Sequence, residues 1–207
     1  MTGIQPFRGM VVLQDMAHDV VSPAYDALSV AQRQQFRSDH PHSYLHVTRS
    51  AEDEPDAVTV DNSTLVARGR AALERIVGAN LFASHGSPAL YVYRLVDGAH
   101  AQCGLVCEIP SGYYHSVAKP HEATRAARAA LLAEHFGTVK AMSSPVACTV
   151  RDDGGLEREL HAVTHGEPIL DIAGGDGLQQ TVWRIDDREA QARITERLRD
   201  EPLFIID

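Results

Sequence analysis

The sequence predicts an α+β fold, a mixed, mainly antiparallel sheet with helices packed against it. Three observations carry that expectation. Two β-rich runs in residues 88–109 flank Asp97-Gly98, a dipeptide suited to a tight turn between antiparallel strands. Stretches at 63–80 and 187–200 repeat apolar residues at helical spacing. Strands and helices then mix without regular βαβ alternation, which disfavours a doubly wound sheet. With 207 residues, 44% of them apolar, the chain can bury one sizeable core, and residues 1–207 read as a single domain.

Taken in order, residues 4–12 (IQPFRGMVV) read as an extended segment. Pro23 disfavours helix at Ser22, so Ser22-Pro23-Ala24-Tyr25 is expected to be extended or a turn. Ser29 caps a short helix at 30–39, which stops before Pro41. Residues 43–49 (SYLHVTR) look like a strand, and an acidic loop covers 50–63. The helix over 63–80 gathers Leu65, Ala72, Leu73, Ile76 and Val77, with Gly78 as its stop. The hairpin should pair Ala89–Val96 with Gln102–Ile109. A helix is expected at 123–136, a second strand pair around Asp153-Gly154-Gly155, and a strand at 178–185. A helix follows with Ala190, Ile194 and Leu198 stacked four apart, and residues 202–207 (PLFIID) form an apolar strand.

The totals exclude several functions. A net charge of -9 argues against a binder of nucleic-acid backbones, which needs a basic face. No window of about 18 apolar residues offers a membrane span, and no secretory signal opens the chain. Three cysteines without a Cys-x-x-Cys pair indicate neither a disulfide frame nor a zinc site. The expectation is a reduced, soluble, cytoplasmic protein.

The candidate chemistry centres on His121-Glu122, at the expected mouth of the 123–136 helix. Unpaired N–H groups in a first helical turn stabilise a carboxylate, which gives Glu122 a purely structural explanation. A neutral His121 beside it, with Lys119 two residues earlier, also makes an acid–base or phosphate-facing group. Residue 125 is Arg, so the His-Glu-x-x-His zinc motif fails. Tyr25 and Asp26 sit in the rigid turn SPAYD, where Asp26 either bonds a nearby backbone N–H or faces a pocket. His40, His42 and His46 cluster, but no fourth metal ligand lies near them and no metal site is assigned. The glycines of AGGDGLQQ match no nucleotide fingerprint and read as a flexible turn. The sequence carries no Gly-x-Ser-x-Gly elbow.

Eight stretches in order, PFRGM, VVSPAYDALS, HPHSYLHVTR, ALYVYRL, CGLVCEI, KPHEAT, VWRIDD and PLFIID, resemble the uncharacterised prokaryotic family called domain of unknown function 1015. Ala24 stands where that family usually has a second proline, and the spacer after KPHEAT is shorter here. The family typically continues from a strand like LFIID into Gly-His-His-Arg, similar to a turn of the ParB/sulfiredoxin-type fold. The resemblance thus implies an N-terminal portion of a longer architecture. It also implies a phosphate or nucleotide site serving phosphoryl transfer, with a link to serine metabolism. On that reading His121 and Glu122 are catalytic, while Tyr25, Asp26, Lys119 and Asp207 face a nucleotide and Mg²⁺. The partner is a small-molecule substrate or nucleotide. Weak nucleotide binding by these 207 residues alone, and self-association through an exposed apolar surface, are the matching expectations. A non-catalytic ligand-binding or assembly module is the alternative.

Overall fold

β-branched and aromatic residues gather at 181–185 and apolar ones line much of 89–96, and a computed structural model shows what these runs build. It describes residues 3–48, 53, 60–120, 123–142, 144–174 and 177–206, with the backbone alone at 115. The N-terminal segment is extended as expected. It bridges Gln5 to Glu108 and Phe7 to Ala89, then forms β1 (Met10–Val12), antiparallel to β2 (Phe82–Ser84). The hairpin strands β3 (Leu90–Asp97) and β4 (His100–Val106) pair from Tyr91–Val106 to Asp97–His100. The turn lies one residue later than the sequence suggests, on Gly98 and Ala99. Gly98 has φ +55° while Ala99 keeps an ordinary φ, the signature of a glycine-first hairpin turn.

The short strand β5 (Ala118–Lys119) and β6 (Cys148–Thr149) flank β9 (Leu203–Ile205), parallel and antiparallel respectively. PLFIID is therefore the central strand of a three-stranded sheet. The main sheet is completed by β7 (Leu170–Ala173) and β8 (Gln179–Ile185), in the order β4-β3-β8-β7 and antiparallel throughout. The α+β class and the mainly antiparallel pairing are as the sequence predicts.

Seven helices surround these sheets among the described residues: α1 (Ala17–Val20), α2 (Val30–Asp39), α3 (Asn62–Gly78), α4 (Ser111–Val117), α5 (Ala126–Val139), α6 (Gly155–Val163) and α7 (Arg188–Arg197). Ser29 caps α2 in a reciprocal box with Gln32. Asp187 caps α7 by accepting from Glu189 and Ala190 N–H.

Two expectations are corrected here. Residues 43–48 of the expected strand at 43–49 do not form one, Tyr44–His46 being a turn of 3₁₀ helix, and residue 49 lies outside the described residues. The Ser43 hydroxyl accepts the Leu45 N–H at 3.2 Å, and Val47 N–H reaches the Tyr44 carbonyl at 2.8 Å. Local bonding of this kind competes with a strand ladder. Leu45 and Val47 are both buried, so the alternation that suggested a strand records burial in a turn. Likewise, the expected strand pair around Asp153-Gly154-Gly155 is a strand followed by α6. The Asp152 carboxylate accepts N–H groups of Gly155, Leu156 and Glu157 at 3.1, 3.0 and 3.1 Å. That caps a helix whose Leu156, Leu160 and Val163 face one core.

The centre of the main sheet is covered on both faces, while the edge strand β4 is largely exposed. Leu90, Val92, Trp183 and Ile185 pack against Leu160, Ile194 and Leu198 of the α6–α7 layer. On the other face Leu170 and Ile172 meet Val12, Ala17, Val20 and Leu81. A third cluster joins Val47, Val66, Ala72, Ile76 and Val139, where α3 meets α5. A Cβ on Gly69 would lie 2.7 Å from the Val47 carbonyl oxygen, so this glycine allows the chain before the acidic loop to lie against α3. The helix expected at 123–136 begins at Ala126 instead, after an extended Arg125, and ends with Lys140 left-handed at φ 60°.

Candidate functional site

The parallel pair of β5 and β9 organises the first group of candidate residues. Ala118 is the register partner of Leu203, and Lys119 of Phe204. The two strands therefore run toward the same edge of their sheet. Ala118 is buried and anchors the pair, while Lys119 is exposed, its ammonium 3.4 Å from the Ser116 carbonyl. That contact is at the long limit of a hydrogen bond and leaves the charge largely solvated. His121, Glu122 and Asp207 lie outside the described residues.

Tyr25 and Asp26 belong to a different neighbourhood, on a 3₁₀ turn at Tyr25–Ala27 just before α2. The Tyr25 hydroxyl donates to Asp53 Oδ2 at 2.7 Å, and the Arg33 guanidinium lies over its ring at 4.1 Å. Arg33 Nε donates to Asp53 Oδ1 at 2.8 Å, and its Nη1 to the Leu28 carbonyl at 2.7 Å. Arg37 donates through Nη2 to the Asp53 carbonyl at 2.9 Å, with Nη1 3.8 Å from Oδ2. The Asp53 side chain is 0% exposed and that of Arg33 6%. A carboxylate can be held so deep only with charge and hydrogen bonds both matched, as they are here. Asp26 is exposed beside this knot.

Sequence reasoning found Tyr25 but missed Arg33, Arg37 and Asp53. The available signal was weak: two arginines four apart on one face of α2, and one aspartate within an acidic loop. Nothing local says which acidic residue the arginines take.

Other marked residues have structural partners. His46 Nε2 lies 3.1 and 3.2 Å from the carbonyls of Arg37 and His40. Gly174 and Gly177 form the connection between β7 and β8, with Gly174 N–H donating to the Leu178 carbonyl and Gly177 at φ +82°. The thiols of Cys103, Cys107 and Cys148 are free. Burial, with the nearby Cys148 adding, pushes Cys107 up to about 11. Among the described residues no three His, Cys, Asp or Glu side chains converge on a metal position. No helix among them is long and apolar enough to cross a membrane.

Set beside known families, the chain matches the one described as Protein of unknown function (DUF1015) over residues 4–207. The chain belongs to the DUF1015 family. The match spans every element above, from the extended start to β9, so the DUF1015 region contains both the β5–β9 pair and the Asp53 knot. No curated protein and no solved structure matches the chain.

Proposed function

We propose that this DUF1015 chain is part of a small-molecule phosphotransfer or nucleotide-binding enzyme whose chemistry lies at the β5–β9 edge. The observation that supports the reading is the parallel pairing of Ala118–Lys119 with Leu203–Phe204. Both strands run toward one sheet edge, and the sequence beyond them supplies His121, Glu122 and Asp207. A histidine–glutamate pair supplies acid–base function. A lysine positions phosphate oxygens as a point charge, and carboxylates such as Asp207 hold Mg²⁺. In this scheme Lys119 faces the phosphates and His121 and Glu122 manage the proton of the attacking hydroxyl, while Tyr25 and Asp26 stay outside it, the Tyr25 hydroxyl being given to Asp53. The link to serine as acceptor rests on the family resemblance alone.

The test is calorimetric titration of ATP and ADP with Mg²⁺ into this chain and into a family protein that also carries Gly-His-His-Arg. Weak binding here and tight binding there are expected, with the tight binding or the transfer rate lost when the His-Glu pair becomes Ala-Gln. Nucleotide ignored by both proteins, or bound equally well by the variants, overturns the reading.

A specific observation favours the second reading, an assembly module. On α5, Leu131 and Leu132 are 53% and 41% exposed, and Met142 just beyond it is 52% exposed. Apolar surface of this kind marks contact sites. Light scattering distinguishes the two: concentration-dependent association abolished by Leu131→Ser, without nucleotide binding in either protein, favours assembly.

A further inference from the structure

At the opposite edge of the β6–β9 sheet, where β6 ends and β9 begins, a cavity of about 460 Å³ opens between α6 and the end of α7. Val150, Leu156 and Leu198 give it an apolar floor. Five ionisable groups surround it: Arg151, Asp152, Asp153, Arg197 and Glu201. Three of these satisfy one another or the backbone. Asp152 is taken up by three N–H groups of α6. Asp153 Oδ1 accepts the Gly155 N–H at 2.9 Å and Arg197 Nη1 at 2.8 Å.

The remaining two are Arg151 and Glu201, which carry opposite charges and line the same cavity. Neither has a hydrogen bond or ion pair among the described residues; Arg151 has only the Phe204 ring, at 5.9 Å. A simple anion would meet Arg151 but also face Glu201, and a simple cation would have the reverse difficulty. A ligand bearing both charges satisfies both groups at once. Specificity then comes from the repulsion that each charge imposes on the wrong ligand. The apolar floor adds a place for a hydrocarbon side chain.

We propose that this cavity binds an α-amino-acid zwitterion with an apolar side chain, free or as a dipeptide. Its carboxylate pairs with Arg151, its ammonium with Glu201, and its side chain rests on Val150, Leu156 and Leu198. The site is separate from the β5–β9 edge, and the inference is independent of the phosphotransfer reading.

Calorimetry on the 207-residue chain with leucine and with leucyl-leucine tests it, against N-acetyl-leucine and leucinamide, which each keep a single charge. The expected result is binding of leucine or the dipeptide, with both single-charge analogues weaker by about tenfold, the loss of one charged hydrogen bond. Arg151→Gln should bind leucine no better than leucinamide, and Glu201→Gln no better than N-acetyl-leucine. Neither side chain has a hydrogen bond or ion pair among the described residues, so urea unfolding of the two variants should stay close to the parent and separate lost binding from lost folding. Failure of both zwitterions to bind at millimolar concentration overturns the proposal. So does equal binding of all four probes, or unchanged binding by either variant.

Discussion

The α6–α7 side of the main sheet and the α5 helix are both rich in apolar residues, yet only the first is buried. Leu90, Val92 and Ile194 lose all contact with solvent, and Trp183 closes the layer while its indole N–H donates to the Gly166 carbonyl at 3.1 Å. Helix α5 carries five alanines and two leucines but buries Val139 alone, near its last turn. The difference is one of neighbours. Two elements that alternate or repeat apolar side chains on facing surfaces can interdigitate. A helix that is apolar all round gains burial only where another element reaches it, and α3 reaches α5 at its C-terminal end, through Val139 and the Asn62–Glu134 hydrogen bond of 2.7 Å.

Truncations give the sharpest break of this comparison. Trp183→Ala should cost about 3–5 kcal/mol, through lost burial and a remaining cavity. Leu131→Ala on exposed α5 should change stability by about 0.5 kcal/mol or less. Urea unfolding followed by far-UV circular dichroism measures both. Comparable losses would mean that α5 is covered in solution.

Next in size is the Asp53 knot, where polar groups and not apolar ones fill the interior. Asp53→Ala removes the buried carboxylate that accepts from both Arg33 and the Tyr25 hydroxyl and should cost about 3–5 kcal/mol. The pair of changes Arg33→Met with Asp53→Leu should recover most of that loss, since both members of the buried ion pair go together. A double variant as unstable as Asp53→Ala would show that the hydrogen bonds to Tyr25 and Leu28, and not the charge balance, hold the region.

How far the sequence reveals these regions follows the same division. The hairpin, α2, α3 and α7 are legible because local signals agree: period-two or helical spacing, a turn glycine, and a cap at Ser29. Residues 43–49 misled because Leu45 and Val47 alternate like a strand while Ser43 bonds the turn shut. Helix α6 was hidden because Gly154-Gly155 reads as a hairpin turn unless Asp152 is known to fold back on three N–H groups. β5 and β7 are too short to carry a period of their own. The Asp53 knot is a tertiary choice among several acidic residues. Of the candidate site, Tyr25, Asp26 and Lys119 could be named from motifs, but their separate neighbourhoods could not.

A smaller effect sharpens the contact between α3 and the Tyr44–His46 turn. Gly69→Ala would place a methyl 2.7 Å from the Val47 carbonyl oxygen, and backbone has little room to yield. The expected loss is about 1–3 kcal/mol, against a gain for alanine at an open helical glycine such as Gly78. Chemical denaturation of both variants checks the contrast; equal responses would show that the Val47 segment gives way freely.

The smallest effect is electrostatic. The Asp152 carboxyl is held below its ordinary value, first by the Leu156 N–H, then by those of Glu157 and Gly155 and by Arg197, against a desolvation that opposes them. Its stabilising contribution is therefore fully present above the unfolded carboxylate pKa near ~3.9 and is lost as pH falls through the lower folded value. Asp152→Asn should flatten the acid limb of the stability curve in that window. A curve unchanged between about pH 5 and pH 3 would remove Asp152 from the cap.

The three-stranded sheet has one further consequence, for the order of events during synthesis. β9 lies between β5 and β6, so those two strands have no partner in that sheet until Leu203–Ile205 exists. The hairpin and α3, by contrast, close over neighbouring residues and can form while the chain is still being made. Joining Ala118 to Leu203 is a long-range contact, as is the pairing of β3 with β8, and such contacts are entropically costly and slow. The nascent protein thus carries two short unpaired edges until β9 is made, the interval in which a passing strand from another chain could take its place.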